Sequence, residues 1–246
     1  KNMNALILAA GVSRRLYPHT YHKPKCLLEV NNKPIIHYQL DALKALNIKD
    51  IIIVVGYHRE MLMENVRQNF PDMNFHFLIN HHYFETNTAY SVLIAKNHIN
   101  SDLFLMNADV VYPISLLSDV FSSEYKNVLA VDIKICGKEE VKVIDGGSSK
   151  VVAIGKDLIE DQCLGEFIGV AKLSKNFIIH FMDSLERLIK AGGKNDYFEA
   201  AIQAIINNVE LNFLNVSQYP CLEIDFIEDL KIAERLFKGN QRFVQD

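Results

Sequence analysis

Apolar residues along this chain follow two rhythms. Runs of strand length at residues 6–10, 51–55, 75–79 and 103–106 are rich in Leu, Ile, Val, Phe and Ala. The β-branched run 51–55, closed by Gly56, has the pattern of a strand buried on both faces. Between them, residues 35–46 (Ile35, Ile36, Leu40, Leu43, Leu46), 60–70 and 88–96 show the three- and four-residue spacing of amphipathic helices. Strands alternating with helices predict an α/β fold: a Rossmann-like three-layer domain with a mostly parallel mixed sheet and helices on both faces. The later sequence is less regular. Strands are expected at 128–135, 141–144, 151–154 and 167–173, with a hairpin turn at Asp145-Gly146-Gly147. Helices at 177–189 and 197–207, strands at 211–216 and 221–225, and a closing helix at 227–237 complete the expected order. No linker or internal repeat interrupts it, so one domain is expected over 1–246, with no fused acyltransferase or kinase.

Sheets of this kind take ligands beyond the carboxyl ends of their strands. The first strand runs into a loop holding Gly11, Arg14, Arg15, Lys23 and Lys25. Backbone N–H groups and fixed cations in such a turn suit a polyanion. The fourth strand ends at Asn107-Ala108-Asp109, and Asp225 ends the last. Carboxylates at strand tips are candidate Mg²⁺ ligands, since few protein oxygens are needed when substrate phosphates complete the octahedron. Asp225 has a second reading, as N-cap of the closing helix.

Composition removes several classes. A net charge of −4 over 246 residues argues against nucleic-acid binding. The four cysteines form no C-x-x-C pair, and the nine histidines are scattered apart from His81-His82, so zinc and disulfide frameworks are not indicated. No apolar run approaches bilayer length and no signal-peptide pattern opens the chain, so a cytoplasmic location without membrane contact is expected. The first turn reads G-V-S-R-R rather than G-x-G-x-x-G, which excludes a dinucleotide-dependent oxidoreductase.

The opening segment also resembles the L-A-A-G-x-x-x-R-L-x-P-x-T-x-x-x-P-K loop of nucleotidyltransferases that make NDP-sugars, CDP-choline and related compounds. Gly11, Arg15, Leu16, Pro18, Thr20, Pro24 and Lys25 fall in register. The resemblance implies that residues 1–112 bind nucleotide and 113–246 the acceptor. It puts Leu8, Ala9, Ala10 and Gly11 against the nucleotide, Lys25 beside the α-phosphate and Arg15 on the departing phosphates. Asp109 and Asp225 are the implied Mg²⁺ ligands, with N-A-D standing where x-G-D is frequent. Asn80 is expected to present its amide to the base. Thr88 and Ala89 lie in T-N-T-A-Y-S, a variant similar to the T-N-N-x-Y-S element of cytidylyltransferases acting on phosphocholine and similar small phosphates.

By the same resemblance Lys156 grips the acceptor phosphate. Gly155 stands where sugar-phosphate members often carry Glu. Glu166 is an expected countercharge near the acceptor, and Tyr197 lines that pocket or a dimer contact; a homodimer stays open. The implied activity is Mg²⁺-dependent transfer of CMP from CTP to phosphocholine, phosphoethanolamine, 2-aminoethylphosphonate or a phosphorylated amino acid or amide, serving surface-polysaccharide decoration. A hexose-1-phosphate nucleotidyltransferase is the enzymatic alternative, and a nucleotide-binding regulatory subunit the non-enzymatic one.

Overall fold

A computed structural model describes residues 2–238. The chain begins β1 (Met3–Ala9), β2 (Glu29–Val30), β3 (Lys33–Pro34), α1 (Ile35–Ala45), β4 (Asp50–Val55), α2 (Arg59–Asn69) and β5 (Asn74–Ile79). It continues α3 (Thr88–Ile94), β6 (Asp102–Asn107), β7 (Val110–Val111), α4 (Ile114–Ser122), β8 (Val128–Asp132), β9 (Lys142–Asp145) and β10 (Val151–Gly155). The remainder is β11 (Gly165–Leu173), α5 (Lys175–Lys190), α6 (Phe198–Ile205), β12 (Asn212–Asn215), β13 (Leu222–Glu223) and α7 (Ile227–Lys238).

The apolar runs form the parallel part of one sheet ordered β10-β9-β11-β6-β1-β4-β5, with β5 at its edge and β8 and β12 branching from β11. The strands β6, β1, β4 and β5 are mutually parallel, as right-handed crossovers through helices require. Alternation along β1 serves both faces. Ala5, Ile7 and Ala9 join one core with α1, α2 and α4; Leu6 and Leu8 join the other with α3, α5 and α6. The expected three-layer arrangement is therefore present. Its mixed character comes from β11, antiparallel to β6, β8 and β9.

Some elements differ from expectation. The run 128–135 stops at Asp132 as a strand, and 221–225 contracts to β13, which pairs outside the main sheet with β7. Helix α4 was not foreseen. Burying Leu116, Leu117 and Val120 contributes roughly 5 kcal/mol, against roughly 0.5 kcal/mol for each weak helix former among its Ser and Asp positions. Packing wins over propensity there.

Gly169 lets β11 pass the end of β6. Its φ is +80°, and a Cβ would lie 2.6 Å from the Asn107 amide nitrogen. The β8–β11 register shifts between Phe167 and Ala171, and Phe167 lines the carboxyl-end cavity.

Candidate active site

The carboxyl ends of β1 and β6 open into a cavity of about 420 Å³, within the usual range for small-ligand sites. One wall is the loop after β1. Leu16 is fully buried and Thr20 donates from its hydroxyl to the Ser13 carbonyl at 3.0 Å, so the loop is tied at both ends. Gly11 leaves open space where a side chain would stand. Leu8, Ala9 and Gly11 line the cavity, whereas Ala10 faces a smaller adjoining one of about 80 Å³.

Arg15 and Lys25 leave this loop differently. The Arg15 guanidinium is half exposed, 4.9 Å from the centre of the Phe226 ring and 3.1 Å from Glu139. Lys25 follows Pro24 in a short turn anchored by buried Cys26 and Leu27. Its Nζ lies 2.9 Å from Asp109 Oδ2 and 3.0 Å from Asp225 Oδ1. Burial opposes its charge, but the two carboxylates outweigh it and hold the Lys25 pKa above the ordinary value.

The β7–β13 ladder assembles these carboxylates. Val110 pairs with Glu223, and the Ile224 N–H donates to the Asp109 carbonyl at 2.9 Å. Residues far apart in sequence are thereby fixed across one narrow gap. Gln39, buried on α1, donates to the carbonyls of Asn107 and Val110 at 2.7 and 2.9 Å, bracketing Asp109. The Asp225 carboxylate serves Lys25; it is Asp229 that receives the N–H groups of Asp225 and Phe226.

Glu223 joins the pair, and ligand oxygens of Asp109, Glu223 and Asp225 all lie within 4.8 Å of one another. Sequence reading missed Glu223, although the E-x-D spacing in Leu222-Glu223-Ile224-Asp225 was a usable signal, since alternate strand residues share a face. Burial, then Asp109 and Asp225, raise the Glu223 carboxyl well above its usual range. Asp225 is lowered: Lys25 overcomes the opposing effect of burial. Asp109 Oδ1 is buried without a hydrogen-bond partner. An all-carboxylate set with an orphaned oxygen fits a hard divalent cation such as Mg²⁺.

Asn80 is buried, and both its amide protons are committed, to Thr86 Oγ1 at 3.0 Å and Ser91 Oγ at 3.1 Å. Its Oδ1 accepts from the His82 N–H. The expected base-reading amide thus holds the 80–91 segment together and walls the smaller cavity. Thr88 lines both cavities and accepts from the Phe198 N–H, while Ala89 is fully buried and gives its N–H to the Asp196 carbonyl. Asn87 caps α3. These bonds weld the start of α3 to the start of α6.

At the far end Lys156 follows β10, its Nζ 4.4 Å from the centre of the Tyr197 ring, a cation–π contact. Both line the cavity. Buried Lys142 donates to the Lys156 carbonyl and fixes that turn. Gly155 again faces open space. Glu166, expected here, is turned elsewhere: its Oε2 meets Lys134 at 3.3 Å, and Phe167 takes the cavity-facing position, as strand alternation dictates.

A different carboxylate lines this end. Glu199, on the first turn of α6, was not singled out in the sequence. Burial pushes its carboxyl up to about 7, against the lowering effect of Lys156. The folded protein therefore keeps this proton to higher pH than the unfolded chain, whose group titrates near 4.5. Stability should fall as pH rises from about 4.5 to about 7 and then level off. Glu199→Gln is expected to flatten that part of the curve of urea midpoint against pH in metal-free buffer; an unchanged slope would assign the proton to another group.

Among the described residues, no helix is long and apolar enough to cross a membrane. A family model described as Nucleotidyl transferase matches residues 4–142. A CTP:phosphoglutamine cytidylyltransferase of Campylobacter jejuni is 31% identical, over 94% of this chain and 98% of that protein. A choline-phosphate cytidylyltransferase of Streptococcus pneumoniae is 27% identical, over 96% and 99%. The solved CTP:phosphocholine cytidylyltransferase of Streptococcus pneumoniae superposes with a TM-score of 0.82 at 23% identity, covering 96% of this chain and all of that one. The likeness read from the first loop thus extends along nearly the whole chain, and the chain belongs to the nucleotidyl transferase family.

Proposed function

We propose that the protein is a cytidylyltransferase that moves CMP from CTP to a small phosphate or phosphonate acceptor and releases pyrophosphate. The observation that carries this reading is Lys25 set between Asp109 and Asp225 at the strand ends, in a cavity whose far end holds Lys156. The two CTP-named relatives, matched over nearly their full length, support the choice of nucleotide.

In the proposed reaction an acceptor oxygen attacks the α-phosphorus of CTP. The bond from that phosphorus to the bridging oxygen breaks, and pyrophosphate leaves with the electron pair. The acceptor dianion is itself the nucleophile, so no covalent intermediate or general base is needed. Lys25 offsets charge on the α-phosphate, and Arg15 exchanges Glu139 for the departing phosphates. Lys156 holds the acceptor phosphate in line. Asp109, Glu223 and Asp225 would hold Mg²⁺, which supplies further charge neutralisation. Residues 1–112 serve the nucleotide in this reading and 113–246 chiefly the acceptor, the two acting as one unit through the shared sheet.

The proposed acceptors are phosphocholine, phosphoethanolamine, 2-aminoethylphosphonate or a phosphorylated amino acid or amide. A hexose phosphate needs several hydroxyl-directed partners, and Gly155 supplies no side chain toward the open space beside Lys156. In a matrix of nucleotides against phosphates scored by pyrophosphate release, CTP with a small acceptor is expected to exceed UTP or dTTP with glucose-1-phosphate by at least about a hundredfold in kcat/KM. Lys156→Ala should raise the acceptor KM and leave that of CTP nearly unchanged. Equal or faster turnover of the hexose phosphate would overturn the acceptor assignment.

A further inference from the structure

Glu199 is 4% exposed, and its Oε2 has no hydrogen-bond partner although the residue lines the cavity. A carboxyl oxygen withdrawn from water without a donor is destabilising. Its neighbours leave it unsatisfied. The Lys156 ammonium lies over the Tyr197 ring, and among the described residues no protein donor reaches Glu199 Oε2. Gly155, next to Lys156 in the chain, leaves open space where a side chain would stand. The missing donor therefore has to come from whatever fills the cavity.

We propose that Glu199 receives an N–H-bearing cationic group of the acceptor, a primary ammonium, and so selects aminated phosphates over trimethylated ones. This rests on the reading above that Lys156 marks the acceptor end. With Lys156 on the phosphate and Glu199 on the nitrogen, the site holds both ends of a short zwitterion. A hydroxyl would satisfy the oxygen but bring no charge to a carboxylate taken from water. A trimethylammonium brings charge but no N–H, and its methyl shell keeps that charge away from Oε2. Burial places the Glu199 carboxyl at about 7, so a cation can draw out its ionised form near neutral pH.

The test titrates phosphoethanolamine, 2-aminoethylphosphonate, phosphocholine and glucose-1-phosphate into wild-type protein and into Glu199→Gln and Glu199→Asp, by calorimetry and by CTP-dependent pyrophosphate release. Wild type is expected to bind phosphoethanolamine at least about tenfold more tightly than phosphocholine. Glu199→Gln should lose that preference, raising the phosphoethanolamine KM about tenfold with kcat and the CTP KM within about twofold. Glu199→Asp, which keeps the charge but shortens its reach, should fall between the two. A merely structural Glu199 would alter CTP and every acceptor alike. That result overturns the assignment, as does a preference retained in Glu199→Gln, binding of phosphocholine or glucose-1-phosphate at least as tight as phosphoethanolamine, or binding by no compound tested. Selective, Glu199-dependent binding without pyrophosphate release would instead leave the acceptor site standing and remove the transfer reaction.

Discussion

Lys25→Ala is expected to lower kcat at least about a hundredfold, about 2.7 kcal/mol of transition-state stabilisation. The Lys25 ammonium is already placed and partly dehydrated between two carboxylates. A cation in that position needs no reorganisation when charge builds on the α-phosphate, whereas water or bulk ions would have to be gathered for the purpose. The substitution has a second consequence that reports on the same geometry. Without Lys25, the carboxylates of Asp109 and Asp225 lose the cation that bridges them, with Glu223 close beside, and like charges at this range repel. Metal-free Lys25→Ala protein should melt below wild type, and added Mg²⁺ should raise its Tm by more than it raises that of wild type. A folded variant with near-normal kcat would exclude Lys25 from the chemistry. Equal Mg²⁺ effects on the two melting curves would remove the link between Lys25 and the carboxylate cluster.

Asp109→Asn is the second large effect. Asn keeps the size of Asp and can still accept from Lys25, and Gln39 continues to bracket the turn from behind, so the fold should survive. What it loses is the charge on an oxygen pair of which one member, Oδ1, is buried and unpartnered. Activity is expected to fall at least about a hundredfold, with half-saturation by Mg²⁺ moved to higher concentration more than CTP binding is weakened. Wild-type activity should disappear in EDTA and return with Mg²⁺. Undiminished turnover in EDTA would rule out the metal. A CTP–Mg²⁺ structure in which the ion stands away from both Asp109 and Asp225 would remove them as its ligands.

Much of this molecule could be read in advance because local patterns carried it. Runs such as Ile51–Val55 have too many adjacent apolar side chains for any surface, and only a strand covered on both faces hides them all. Helical spacing supplied the covering layers, and the rule that such sheets bind at their carboxyl ends brought Gly11, Lys25 and Asp109 to one cavity. The misses arise where position depends on two distant segments at once. Asp225 does reach Lys25, but through the small β7–β13 ladder outside the main sheet, which also draws in Glu223. Asn80 borders the smaller cavity, yet its donors are spent on Thr86 and Ser91, partners that only the fold of the 80–91 loop reveals.

The end of the cavity at Lys156 shows the division most clearly. By itself the sequence determined most of the order of elements, the phosphate-suited loop with Arg15 and Lys25, and the family. Those depend on hydrophobic period and on residues close together in the chain. Only the tertiary structure decided which carboxylate lines that end of the cavity. Strand alternation in β11 turns Glu166 to Lys134, and the packing of α6 under β10 brings Glu199 to the cavity wall instead. The reason is physical: local spacing fixes which way neighbouring side chains diverge, but the burial of a charge depends on every segment that closes around it.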